Sequence, residues 1–292
     1  MTGLRFVLPT AFSLALLLCL PGGGLSAPPV AWRPTAPRVG DVVVVEVSAA
    51  SPLATLTGTL GGAPLVFTSL GDRQIAVAGV DLDTRPGVRP WQIEIRQPGQ
   101  NQRSLSGSLT VAARSFSVQR LTLPKGMVEL DPETERRALA EGDRLRALYR
   151  TITPERLWRG RFTRPVGGEE PGSGFGARRV INGLPRAPHS GVDYSAPAGT
   201  PVLTANAGRV ALVAEFFFPG RLAIVDHGLG LYTLYFHLDS VSVWEGQAVE
   251  RGDVIGTVGA TGRATGPHLH FGAQIGEARV DPEVLLALDL PD

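Results

Sequence analysis

Glycine and proline interrupt this chain so often that long helices are excluded from most of it. Of 292 residues, 36 are Gly and 24 are Pro. The stretches between them are rich in Val and Thr, which favours short strands joined by turns. The expected fold class is therefore all-β. Runs over 41–48, 64–68, 74–81, 91–97 and 104–111 recur at the spacing of a small sandwich, separated by Gly61-Gly62, Gly71-Asp72, Arg85-Pro86-Gly87 and Pro98-Gly99. They predict an Ig-like β-sandwich over residues 28–115, entered through a proline-rich lead-in. This part has no histidine and no recognisable catalytic cluster, so it reads as a spacer or as a docking module for a cell-envelope protein.

One helix is predicted in a linker over 116–160. Asp131 is its N-cap, Pro132 its first residue, and Glu133 and Glu135 lie in the first turn; Leu139, Leu145, Leu148 and Tyr149 fall on roughly one face. Glycine-rich β segments then return at 200–205, 209–217, 222–226, 231–237, 254–258 and 268–275. They predict a second all-β domain over 161–292.

The first 27 residues read as a secretory signal: Arg5, an apolar stretch over 6–20, then small residues up to Ala27. That stretch contains Pro9 and is shorter than the roughly 20 apolar residues of a spanning helix, so cleavage is preferred to an uncleaved anchor. A lipid anchor is disfavoured because Leu18, not a small residue, precedes Cys19. Cys19 is the sole cysteine, so the mature, exported chain has no thiol and must rest on its core, on metal, or on both. The expected location is periplasmic or extracellular. A formal net charge of +1 excludes nucleic-acid binding by bulk charge. Lys125 is the sole lysine, which excludes a lysine carrier site in the C-terminal half.

All five histidines, His189, His227, His237, His268 and His270, lie beyond residue 188. His189 and Asp193 are four residues apart, and His268 and His270 two apart. Both spacings are even, so on strands each pair projects from one face. A helical His-x-x-x-His site is disfavoured by the glycines and prolines around 191–201. A hydrolytic zinc site takes three N or O ligands and keeps one position open. His189, Asp193 and one histidine of the second pair meet that count, leaving other imidazoles for proton transfer near neutrality. His237 ends a β-like run and can face the same cleft. The loop 259–266 lacks the Lys-Ser/Thr of a phosphate-binding loop and reads as a turn positioning His268.

The motifs Pro188-His189-Ser190-Gly191-Val192-Asp193-Tyr194, Gly199-Thr200-Pro201-Val202, Tyr235-Phe236-His237-Leu238, Val249 to Gly256, and Thr261-Gly262 with Gly266 to Phe271 occur in one order. Over about residues 160–285 the chain thereby resembles the lysostaphin/LytM-type zinc endopeptidases of bacterial cell walls. The resemblance implies that the domain is an antiparallel β-sheet with an open groove, and that one Zn2+ per chain is held by His189, Asp193 and His270. It implies His268 as general base on the attacking water, with His237 stabilising the oxyanion or sharing the proton work. It implies peptidoglycan as substrate and partner, through peptide bonds in stems or cross-bridges. The alternative is a silent relative that activates a wall amidase, but such chains lack ligands and this one has the full set. His227 lies outside the usual ligand set and reads as structural. Asn182 is a candidate to cap the metal in a latent form, as an Asn does in some relatives. Seven arginines against two acids over 156–186 read either as attraction to an anionic wall or as a solvated loop, and Arg178-Arg179 to Arg186, just before His189, is the candidate specificity loop.

Overall fold

The computed structural model describes residues 29–48, 53–168 and 171–290; the expected signal segment lies outside them. No helix among the described residues is long and apolar enough to cross a membrane.

Seven strands form the N-terminal part: β1 (Val30–Arg33), β2 (Val42–Val47), β3 (Thr55–Leu60), β4 (Ala63–Leu70), β5 (Arg73–Gly79), β6 (Gly87–Arg96) and β7 (Arg103–Val111). Their hydrogen-bonded order is β1-β2-β5-β4-β3-β6-β7. The groups β1-β2-β5-β4 and β3-β6-β7 reproduce the two sheets of an immunoglobulin-type sandwich. They are joined because β4 changes partner along its length, residues 63–66 pairing with β3 and 67–70 with β5. Sequence periodicity misses β1, which emerges from the proline-rich lead-in, and β3.

The valine run of β2 shows how this sandwich meets the rest of the chain. Val43, Val45 and Val47 pack inside it with Leu56, Ile93 and Leu109. Val42 and Val44 face the other way, into a cluster with Ile275 and Val280 of the C-terminal part. A strand buried on both faces reads as a continuous apolar run. The approach is close: a Cβ on Gly79 would stand 2.8 Å from Ala278 Cβ. Arg279 clamps the rim, donating through Nε and Nη2 to both oxygens of Asp81 (3.0 and 2.8 Å) and through Nη2 to Asp83 (2.7 Å).

Next come β8 (Val118–Leu121) and the predicted helix α1 (Pro132–Tyr149), with Asp131 accepting from the amides of Glu133 and Thr134. The helix packs through Leu145, Leu148 and Tyr149 onto Leu212, Phe216, Ile224 and Tyr232. Leu139 does not join this face; it is 60% exposed.

The remaining strands are β9 (Pro171–Ser173), β10 (Arg178–Ile181), β11 (Leu184–Pro185), β12 (Gly191–Tyr194), β13 (Pro201–Leu203), β14 (Gly208–Phe216), β15 (Gly220–Asp226), β16 (Leu231–Val241), β17 (Ala248–Val249), β18 (Val254–Val258), β19 (Leu269–Ile275) and β20 (Ala278–Val280). The main sheet runs β17-β14-β15-β16-β19-β12-β9, with β18 beside β16 and β20 beside β19. Every pairing within it is antiparallel. A short helix α2 (Pro282–Ala287) closes the chain, capped by Asp281. Separately, β8 pairs in parallel with β10, which carries β11 on its other edge. This small sheet brings the segment after the sandwich onto the face of the C-terminal domain that bears the histidines.

Candidate metal centre

The ladder between β12 and β19 sets Asp193 directly opposite His270, and β16 sets Phe236 opposite His270 on the other side. His189 arrives from the turn before β12, its backbone paired with Ala177 and Gly176. Three donor atoms therefore meet. His189 Nε2 and His270 Nδ1 each lie 2.9 Å from Asp193 Oδ1 and 2.9 Å from each other. His189 Nδ1 faces the Gly174 carbonyl at 3.2 Å, which fixes its proton there and turns the Nε2 lone pair inward. Three lone-pair-bearing atoms this close can be only partly satisfied by a shared proton. A divalent cation satisfies all three, so the donor set fits a metal, and these are the described His, Asp and Glu side chains that cluster in this way. The Phe236 ring stacks on His270 at 5.4 Å and 12° and fixes its plane.

The other two imidazoles border the same spot. His268 Nε2 stands 3.9 Å from Asp193 Oδ1, while its Nδ1–H donates to the Gly266 carbonyl at 2.8 Å. His237 lies 4.7 Å from His268 between ring centres, and its Nδ1–H donates to the Thr261 carbonyl at 2.8 Å. A β-bulge explains how His237 reaches the cleft. Arg221 pairs with Leu238 and Ala223 with Tyr235, so Phe236 and His237 together oppose Leu222 alone. His237 consequently adopts a φ of 64°, held by its amide bond to Pro219 O at 2.8 Å.

Burial depresses His189 to about 4 and His237 to about 3, so both are neutral at neutral pH. Burial would raise Asp193, but its close contacts with the His189 and His270 imidazoles outweigh it and hold the carboxyl well below the usual range. His227 stands apart. Its Nδ1 bonds Ala207 O at 2.8 Å and its Nε2 the Thr233 hydroxyl at 2.7 Å, inside the core, which is the structural role expected for it. Asn182 does not reach the donor cluster: its amide bonds both backbone groups of Leu123 at 3.0 Å, tying down the end of the β8 segment.

Sequence reasoning misses several neighbours. A cavity of about 220 Å³ over the donors is lined not only by His237, His268 and His270 but by Gln119 and Leu121 of β8, Arg179 of β10, Phe218 and Arg263. Only the arginine-rich run before His189 hinted at Arg179; nothing in the text linked β8 to a site 60 or more residues away. Gly191 is also part of the site, because a Cβ there would lie 2.7 Å from His270 Nε2. A larger cavity, about 580 Å³, lies between the two domains and is lined by none of the histidines.

A His, Asp, His donor set flanked by two further imidazoles on an open antiparallel sheet is a site of the metallohydrolase type. Residues 187–282 match the model of Peptidase family M23. A solved structure of a candidate M23 peptidase from Pseudomonas aeruginosa is 33% identical, covers 86% of this chain and 95% of its own, and superimposes with a TM-score of 0.66. The chain belongs to peptidase family M23. Among curated relatives, the peptidoglycan DD-endopeptidase ShyB of Vibrio cholerae is 39% identical over 120 residues, 41% of this chain and 28% of that protein. The DD-carboxypeptidase/endopeptidase Mpg of Neisseria meningitidis is 44% identical over 104 residues, 36% of this chain and 24% of that protein. The match thus spans about a quarter of the length of these curated relatives.

Proposed function

We propose that the chain is an exported zinc metallopeptidase that hydrolyses DD-type peptide bonds in peptidoglycan, with one zinc held by His189, Asp193 and His270. The convergence of these three donors beside two unligated imidazoles carries the reading. The names of the relatives supply the bond class. An intact donor set favours catalysis over a silent, amidase-activating role.

Zinc bound there would supply Lewis acidity, polarising the scissile carbonyl and acidifying water. The chain's own groups manage the proton. With Nδ1–H committed to the carbonyls of Gly266 and Thr261, His268 and His237 both turn an Nε2 lone pair to the cleft. His268, nearer Asp193, takes the proton of the attacking water. Once protonated, its Nε2–H becomes a donor and delivers that proton to the leaving amine. His237, 4.7 Å away and kept neutral by burial, shares the proton work as a second acceptor through its Nε2 lone pair. No covalent intermediate is required.

The test is mass analysis of peptidoglycan fragments released by the chain from residue 28 onward, with and without chelator and with His268→Ala. Metal-dependent release of fragments cut at a DD bond, lost in the variant, is expected. Undiminished lysis in chelator or in His268→Ala would overturn the reading.

A further inference from the structure

Two guanidinium groups face the cleft, and the described acids nearby do not balance them. Arg179, on β10, points its Nε at Gln119 Oε1 (3.2 Å) and stands 3.8 Å from Asp193 Oδ2, a long contact to a carboxylate already engaged by two imidazoles. Arg263 lines the same cavity and is half-buried. Its guanidinium lies over the Phe218 ring at 4.1 Å, and among the described residues no carboxylate forms an ion pair with it.

The loop carrying Arg263 is clamped. Its amide donates to Phe218 O at 3.0 Å, and the Thr261 hydroxyl donates to Leu238 O at 2.8 Å while accepting from the Arg221 amide at 2.9 Å. Gly262, at φ 71°, lets the loop approach so closely that a Cβ would stand 2.3 Å from Gly220 N. The backbone that carries Arg263 is thus fixed and Phe218 seats its guanidinium, so little ordering is left to be lost on binding, which is how a recognition group is built. Burial, and then the like charges of Arg179 and Arg186, act against the protonated form of Arg263. An anion in the cleft relieves that repulsion.

We infer that Arg263, with Arg179 lining the same cavity, forms a carboxylate-binding subsite that selects peptides bearing a free carboxylate on a residue next to the scissile bond. The inference rests on the proposed peptidase reading and narrows its substrate class. Arg263 is the specificity-determining group; Arg179 is shared between the subsite and Asp193, so it is the poorer residue to vary.

The test uses one synthetic peptide ending in D-alanyl-D-alanine in two forms, free acid and C-terminal amide. Cleavage by the zinc-loaded chain is compared as kcat/KM, and binding to the metal-stripped chain is measured by calorimetry. The free acid is expected to be preferred by about tenfold in both, the scale of one charge-assisted hydrogen bond. Arg263→Gln should collapse the ratio to about 2 or less, and Arg263→Lys, which keeps the charge, should retain part of it. An unchanged ratio in Arg263→Gln, or a wild-type chain that treats both forms alike, would overturn the subsite. If neither peptide is cleaved, that counts against the peptidase reading, and the binding ratio still decides the subsite on its own.

Discussion

Replacing Gly191 by Ala adds one carbon atom between two strands, and the structure fixes what it must displace. The new Cβ would stand 2.4 Å from Phe271 O and 2.7 Å from His270 Nε2, against an ordinary contact of at least 3.4 Å. The carbonyl belongs to β19, held on β12 through Gly191 opposite Gly272 and Asp193 opposite His270, so it cannot retreat without opening the ladder. Relieving both contacts opens the ladder at Gly191 and turns the His270 ring, carrying Nδ1 away from its 2.9 Å approach to Asp193. Overpacking of this kind costs about 1–3 kcal/mol, and misorienting a ligand costs roughly 10–100-fold in metal affinity. Zinc affinity by competition with a chromophoric chelator, together with urea unfolding of the metal-free chain, measures both. A Gly191→Ala chain that folds and binds zinc within threefold of wild type would refute the packing argument.

Two further predictions concern stability. Burial holds folded His227 at about 4 against an ordinary value of 6.5, so between those pH values the unfolded chain binds a proton that the folded chain refuses. Stability is full above pH 6.5 and falls as pH drops, by about 3 kcal/mol at pH 4 from this residue; urea titrations of the metal-free chain should show a shallower acid slope in His227→Gln, and an identical slope would contradict the assignment. Arg279→Ala removes the fork to Asp81 and Asp83 at the domain junction. After solvent screening the expected loss is about 1–2 kcal/mol, and a urea midpoint unchanged from wild type would show that the apolar contacts of Val42 and Val44 hold the junction alone.

The parts of this site that lie on one strand or one cap were legible from local signals. The even spacing of His268 and His270 put both on the cleft side, and the Asp131-Pro132-Glu133 cap marked α1. The same cap recurs at Asp281-Pro282-Glu283 and starts α2, a signal present but too short-ranged to outweigh the β-rich surroundings. Leu139 fits the helical period yet stays exposed, because the apolar contacts of the helix with the sheet come from its last turns, through Leu145, Leu148 and Tyr149. Long-range pairing was out of reach. The parallel contact of β8 with β10 brings Gln119 beside Arg179, and the bulge that turns His237 into the cleft depends on the register of β15 against β16. Neither leaves a periodic trace in the text.

X-ray absorption at the zinc edge, on the chain loaded with one equivalent, addresses the centre itself. Two imidazole nitrogens and one carboxylate oxygen at about 2.0–2.2 Å are expected, with the fourth position filled by exchangeable solvent, and Asp193→Asn should weaken binding. A shell containing a third imidazole, or four protein ligands with no exchangeable position, would contradict a hydrolytic site built from His189, Asp193 and His270.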